Sequence, residues 1–119
     1  MIRELKRLIK KQIDPISPLA FDVMPLANVF PHVVMHITMD MVKEGLHNIV
    51  ADFDVWDKGS STKNIDEIAE KIESKLDRLH LTEKGISAAI YHVSTNNVID
   101  TDSSIRRKTC TFEIQVRKG

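Results

Sequence analysis

The sequence predicts an α+β fold: one domain over residues 1–119, with a mixed, mostly antiparallel sheet of four to five strands and two helices on one of its faces, in the order α-(β)-β-β-α-β-β. Three observations carry this. Two stretches repeat apolar residues at helical spacing, four longer stretches alternate apolar and polar residues, and short turn signals join the alternating stretches in pairs.

Ile2, Leu5, Leu8, Ile9 and Ile13 share one helical stripe, with Arg3, Lys6, Arg7 and Lys10 opposite, so the first dozen residues read as an amphipathic helix. Asp14-Pro15 and Ser17-Pro18 end it. Leu19 to Met24, stopped by Pro25, reads as a brief edge strand or an extended arm. From His32 to Met41 the chain alternates, placing Val33, Met35, Ile37, Met39 and Met41 on one side and His32, His36, Thr38 and Asp40 on the other. Lys43-Glu44-Gly45 turns it into a second strand, Ile49 to Trp56, in an antiparallel hairpin.

After the polar loop Asp57 to Lys63, Asn64 and Glu67 form a capping-box pair that opens the main helix. Its stripe is Ile65, Ile68, Ala69, Ile72, Leu76 and Leu79, and it is expected to end near Leu79. Gly85 precedes a third strand, Ile86 to Val93, and a polar stretch from Ser94 to Ser104 leads to the last, Arg106 to Val116. There Cys110, Phe112, Ile114 and Val116 face one way and Thr109, Thr111, Glu113 and Gln115 the other. Helices on one side of such a sheet leave its other face polar and free to line a channel or groove.

Hydrophobic residues at 42% and charged residues at 29% are an ordinary globular balance, and 119 residues suffice to bury about two thirds of the unfolded surface. Zero net charge removes the general attraction to phosphate that nucleic-acid and membrane-surface binders show. A lone cysteine, Cys110, rules out a disulfide within the chain and fits a reducing compartment; the absence of a long apolar run or signal-like start fits the cytoplasm.

Asp52 and Asp54 point to one side of a strand, with Asp57 nearby, where paired carboxylates would suit a hard cation. A metal-dependent enzyme built on them is the alternative reading; the favoured one is a solvated strand face. His32 and His36 share a strand face, but four residues along a strand separate their Cα atoms by about 13 Å, too far for one metal. No nucleophile elbow or phosphate-cradling glycine loop is present, and Cys110 is expected to be a buried, inert thiol. Basic residues gather at Arg3 to Lys11 and again at Arg106 to Lys118, with acidic residues between, a segregation that suits head-to-tail contacts between copies through Lys6, Arg7 and Lys10.

The segment Ile49-Val-Ala-Asp-Phe-Asp-Val-Trp56-Asp57, its Ser/Thr/Lys loop and the helix Ile65-Asp-Glu-Ile-Ala-Glu-Lys-Ile72 resemble the core of the tail-completion (tail-terminator, head–tail joining) proteins of tailed bacteriophages and prophages. The opening helix, the proline-bearing arm entering a strand at Pro31-His32-Val33-Val34, and the two closing strands match the family layout as well. The resemblance implies a non-enzymatic virion-assembly subunit with no cofactor, metal or small-molecule substrate. It implies a ring, hexameric in that family, that caps the tail tube, docks to the head connector and has passing contact with DNA in its lumen. Asp54, Trp56 and Asp57 match the family motif, with Trp56 expected to cap the core. A neighbouring neck or head-completion subunit shares the layout and is the other phage role implied. The place implied is the virion neck, after assembly in the host cytoplasm.

Overall fold

The computed structural model describes residues 1–21, 30–83 and 85–118. The elements are α1 (Ile2–Ile13), β1 (Leu19–Phe21), β2 (His32–Lys43), β3 (Leu46–Lys58), α2 (Lys63–Leu76), β4 (His80–Glu83), β5 (Ile86–Val98) and β6 (Ile105–Lys118). They build one six-stranded sheet in the order β1-β2-β3-β6-β5-β4. β1 runs parallel to β2 and every other neighbouring pair is antiparallel. The expected α+β architecture is therefore present, with one strand more than expected.

That extra strand is β4. The expected helix to Leu79 stops at Leu76 because Asp77 turns extended and Arg78 takes a left-handed φ of 63°. The Asp77 carboxylate accepts a hydrogen bond from the His92 amide at 2.9 Å, and Arg78 N donates to Ile90 O at 2.7 Å. The chain thus leaves the helix directly onto the edge of β5, and residues 80–83 pair there.

Both helices cover one face of the sheet. Leu5, Leu8, Ile9 and Ile13 of α1 and Ile65, Ile68, Ala69, Ile72 and Leu76 of α2 are buried against Ile49, Ala51, Phe53 and Val55 of β3 and Cys110, Phe112, Ile114 and Val116 of β6. Phe53 and Phe112 meet edge to face at 5.4 Å in the middle of this core, an arrangement that adds about 0.5–1.5 kcal/mol beyond burial. The alternation read from β6 is fulfilled residue for residue. The long strands set the shape: 14 residues at ~3.3 Å span roughly 46 Å, and the molecule measures 47 × 23 × 23 Å.

Three expectations need correction. Asn64 is not the helix cap: α2 starts two residues earlier than expected, with Thr62 at the cap position, and the Asn64 side-chain amide donates instead to Asp57 Oδ2 at 3.0 Å. The stretch 94–98, expected as loop, continues β5 to Val98 beside β6. In β2 the register shifts between Ile37 and Met39, so Thr38 is a bulge residue and the face alternation reverses beyond it. Met39 and Met41 consequently lie on the face opposite Val33, Met35 and Ile37, where they are 50% and 59% exposed. The strand expected at Leu19 to Met24 is seen as Leu19–Phe21; the rest of the expected arm, with Pro25, lies outside the described residues.

Candidate functional site

The helix-free face of the sheet carries the residues singled out by sequence. The register places rows across β2, β3, β6 and β5: His32, Trp56, Arg107 and Val98; then Val34, Asp54, Thr109 and Asn96; then His36, Asp52, Thr111 and Ser94. Alternation along each strand brings these side chains to a single face.

In this cluster each carboxylate is engaged by a hydroxyl. Thr109 Oγ1 donates to Asp54 Oδ1 and Thr111 Oγ1 donates to Asp52 Oδ1, both at 2.6 Å. His36 Nε2 lies 3.4 Å from Asp54 Oδ2. The Arg107 guanidinium lies over the Trp56 ring, 3.9 Å from its centroid, with Asp54 at 3.9 Å and Asp100 at 3.8 Å. His32 stacks on the far side of the pattern, its ring 6.1 Å from Trp56 at 12°, and Phe30 tilts against His32 at 5.1 Å. A run of flat groups, Phe30-His32-Trp56-Arg107, thus crosses one end of the face. Such stacks hold long side chains in place at small entropic cost and give a surface fixed shape.

Asp52 and Asp54 are therefore members of cross-strand hydrogen-bonded pairs. Among the described residues, no three histidine, cysteine or acidic side chains converge as a metal would require. Trp56 does not cap the core as expected: it lies on the helix-free face, because its parity in β3 is that of Asp52 and Asp54. Asp57, one residue on, has the opposite parity, is buried, and anchors the start of α2 through Asn64. Pro31 sits immediately before β2, after a cis Phe30-Pro31 peptide.

Lys6, Arg7 and Lys10 sit apart from this face, on α1. Lys10 bridges Asp14 at 3.0 Å and donates to Leu19 O at 3.1 Å, while Asp14 Oδ1 accepts from Leu19 N, so this lysine braces the turn into β1. Lys6 lies 5.4 Å from the Phe21 ring centroid, and Arg7 is exposed. The other basic cluster is likewise engaged, with Lys108 on Asp66 at 2.8 Å holding β6 to α2. Cys110 is fully buried, and burial pushes its thiol up to about 11, which keeps it protonated and inert.

Sequence reasoning missed the exposed methionines at the other end of the helix-free face. Met39 faces Val50, and Met41 faces Asn48, at the outer edge of the sheet. The signal was the single threonine in a methionine-rich strand, which alternation alone reads straight through.

No family model and no curated protein matches the sequence. Among solved structures, the fold is similar to that of a chain in the virion of a native gene transfer agent particle, with a TM-score of 0.66 at 12% identity, covering 92% of this chain and 91% of that one. A second solved chain is similar with a TM-score of 0.75 at 11% identity, covering 98% and 96%. At these identities the likeness is one of fold, and it holds over nearly the whole length of both partners.

Proposed function

We propose that this chain is a structural subunit of a tailed phage, prophage or phage-like particle, and that within it the chain acts as a tail-terminator or head–tail joining protein. The observation that carries the broader reading is the full-length fold likeness to a chain of a gene transfer agent virion. The narrower role rests on the family resemblance of the segment from Ile49 to Ile72, and on a face whose carboxylates are held by threonines rather than presented to a substrate.

In this reading copies of the chain close into a ring, with six as the expected number, at the head-proximal end of the tail tube. Closure removes open strand edges, so no further tube subunit is recruited, and the exposed rim of the ring meets the head connector. The polar helix-free face lines the lumen, where DNA passes. The motif residues Asp54 and Trp56 belong to that face, Asp57 and Pro31 shape its supports, and Arg7 with Lys6 and Lys10 lies on the outer helical layer as the contact to the neighbouring copy or the connector.

The test is removal of the gene from the particle that encodes it. The expected result is filled heads separate from tubes of unregulated length; intact, normally joined particles contradict the role.

A further inference from the structure

Among the described residues the sheet has two uncovered edge stretches that fit each other. On one side β1 covers β2 only at residues 33–35, and among the described residues no strand lies along 39–43. On the other side β4 covers β5 at 86–89, the segment Asp77 to Leu79 takes the backbone of Ile90 and His92, and among the described residues no strand lies along 94–98. Each free stretch is bounded by the same two features. A bulge ends the regular strand at one end, between Ile37 and Met39 or between His92 and Ser94, and a turn ends it at the other.

We infer that residues 39–43 of one copy pair antiparallel with residues 94–98 of the next, Met39 opposite Val98, Met41 opposite Asn96 and Lys43 opposite Ser94, so that a second copy of this chain is the occupant of each edge. This rests on the ring reading above and names the contact that makes the ring.

Direction, length and face each support it. In the order β1-β2-β3-β6-β5-β4, β2 and β5 run oppositely, so a neighbour placed by rotation brings its β2 against β5 in the antiparallel sense. β4 runs in the same direction as β2 and offers four residues, a poorer match. Both regular free stretches are five residues long. The face parity agrees as well: Met39 and Met41 lie on the helix-free face, and so do Ser94, Asn96 and Val98, paired with Thr111, Thr109 and Arg107. Shifting the register by one residue sets helix-free side chains against helix-side ones. In this register Asp40 faces Asn97 and Val42 faces Thr95, so no like charges are opposed.

The pairing also fixes a stagger. Met41 is level with Asn48 of β3, and Asn96, through Thr109, is level with Asp54. Each copy is therefore displaced from the last by six residues, roughly 20 Å along the strands, over a four-strand step of about 19 Å. This stagger inclines the strands by roughly 45°, at the upper end of the tilt with which sheets close on themselves. Such an inclination is the one a closed ring requires.

Cysteine trapping tests the contact. In a chain with Cys110→Ala, the pair Met41→Cys and Asn96→Cys in one polypeptide is oxidised, and the products are separated without reductant. The expected result is a ladder of covalent multiples ending at one closed species, with each single-cysteine chain remaining monomeric. The pair Met39→Cys and Val98→Cys is the second probe, should the first destabilise the monomer. A dimer from Met41→Cys alone overturns the inference, since it means two β2 edges meet about a twofold axis. Rings that form without either ladder overturn the inference and leave the ring reading standing; neither rings nor ladders removes both.

Discussion

Single residues divide cleanly between the two faces of the sheet, and neighbours in sequence do different work. Asp57 is buried and holds Asn64 at the start of α2. Asp57→Ala leaves the loop unanchored and the partner amide unsatisfied, and is expected to cost about 1–3 kcal/mol in a denaturant titration. Asp54 and Asp52, by contrast, bond threonines on the helix-free face, and their replacement by asparagine is expected to abolish no turnover of any substrate. Asp66 offers a pH test. Its hydrogen bond and charge interaction with Lys108 lower its pKa from the usual 3.8. A depressed carboxylate stabilises the fold above its unfolded pKa, and the contribution disappears as pH falls through the lower folded value. In a comparison with Asp66→Asn, the parent chain is therefore more stable at pH 6 than the variant, by less than about 1 kcal/mol because the pair is solvent-screened, and the difference shrinks as pH falls below the usual carboxylate range. Cys110, with its thiol raised to about 11, is expected to resist alkylation at pH 8 until the chain unfolds.

Elements were legible where one periodicity ran unbroken. The stripe of α1, the core side of β6 and the turn at Glu44-Gly45 all appear where alternation and turn chemistry place them, and both turn residues adopt positive φ, 51° and 79°, as a two-residue hairpin turn requires. What was not legible depends on partners distant in sequence. β4 exists because Asp77 and Arg78 are drawn to the backbone of β5, and residues 94–98 are strand because β6 lies alongside, although their composition is that of a loop. Of the candidate residues, Asp52 and Asp54 share one face of β3 as alternation expects, and Trp56 belongs with them because parity outweighs its hydrophobicity. The bulge at Thr38 shows the largest effect of a single residue on an element. Its hydroxyl donates to Val50 O at 3.2 Å, and the reversal it introduces puts Met39 and Met41 at the helix-free edge. Deleting Thr38 removes only the extra residue: Ile37 opposite Ala51 and Met39 opposite Val50 then form a regular ladder, and both methionines stay on the helix-free face. The expected result is a folded chain with unchanged helical content by circular dichroism that still self-associates; loss of assembly from a folded variant contradicts the faces assigned to Met39 and Met41.

At the scale of the whole molecule, a 47 Å slab with helices on one side and a polar face on the other has inner and outer surfaces before any partner arrives. Among the described residues its two uncovered strand stretches are equal in length, opposite in direction and matched in face, and in the proposed assembly copies join through them head to tail. The claim on which the whole account depends is the proposed closure of copies into a ring. Native mass measurement of the purified chain over rising concentration tests that claim most directly. The account predicts one dominant assembly at a fixed multiple of 13.6 kDa that does not grow further. A chain that stays monomeric throughout, or one that forms an open-ended series of ever larger species, contradicts it.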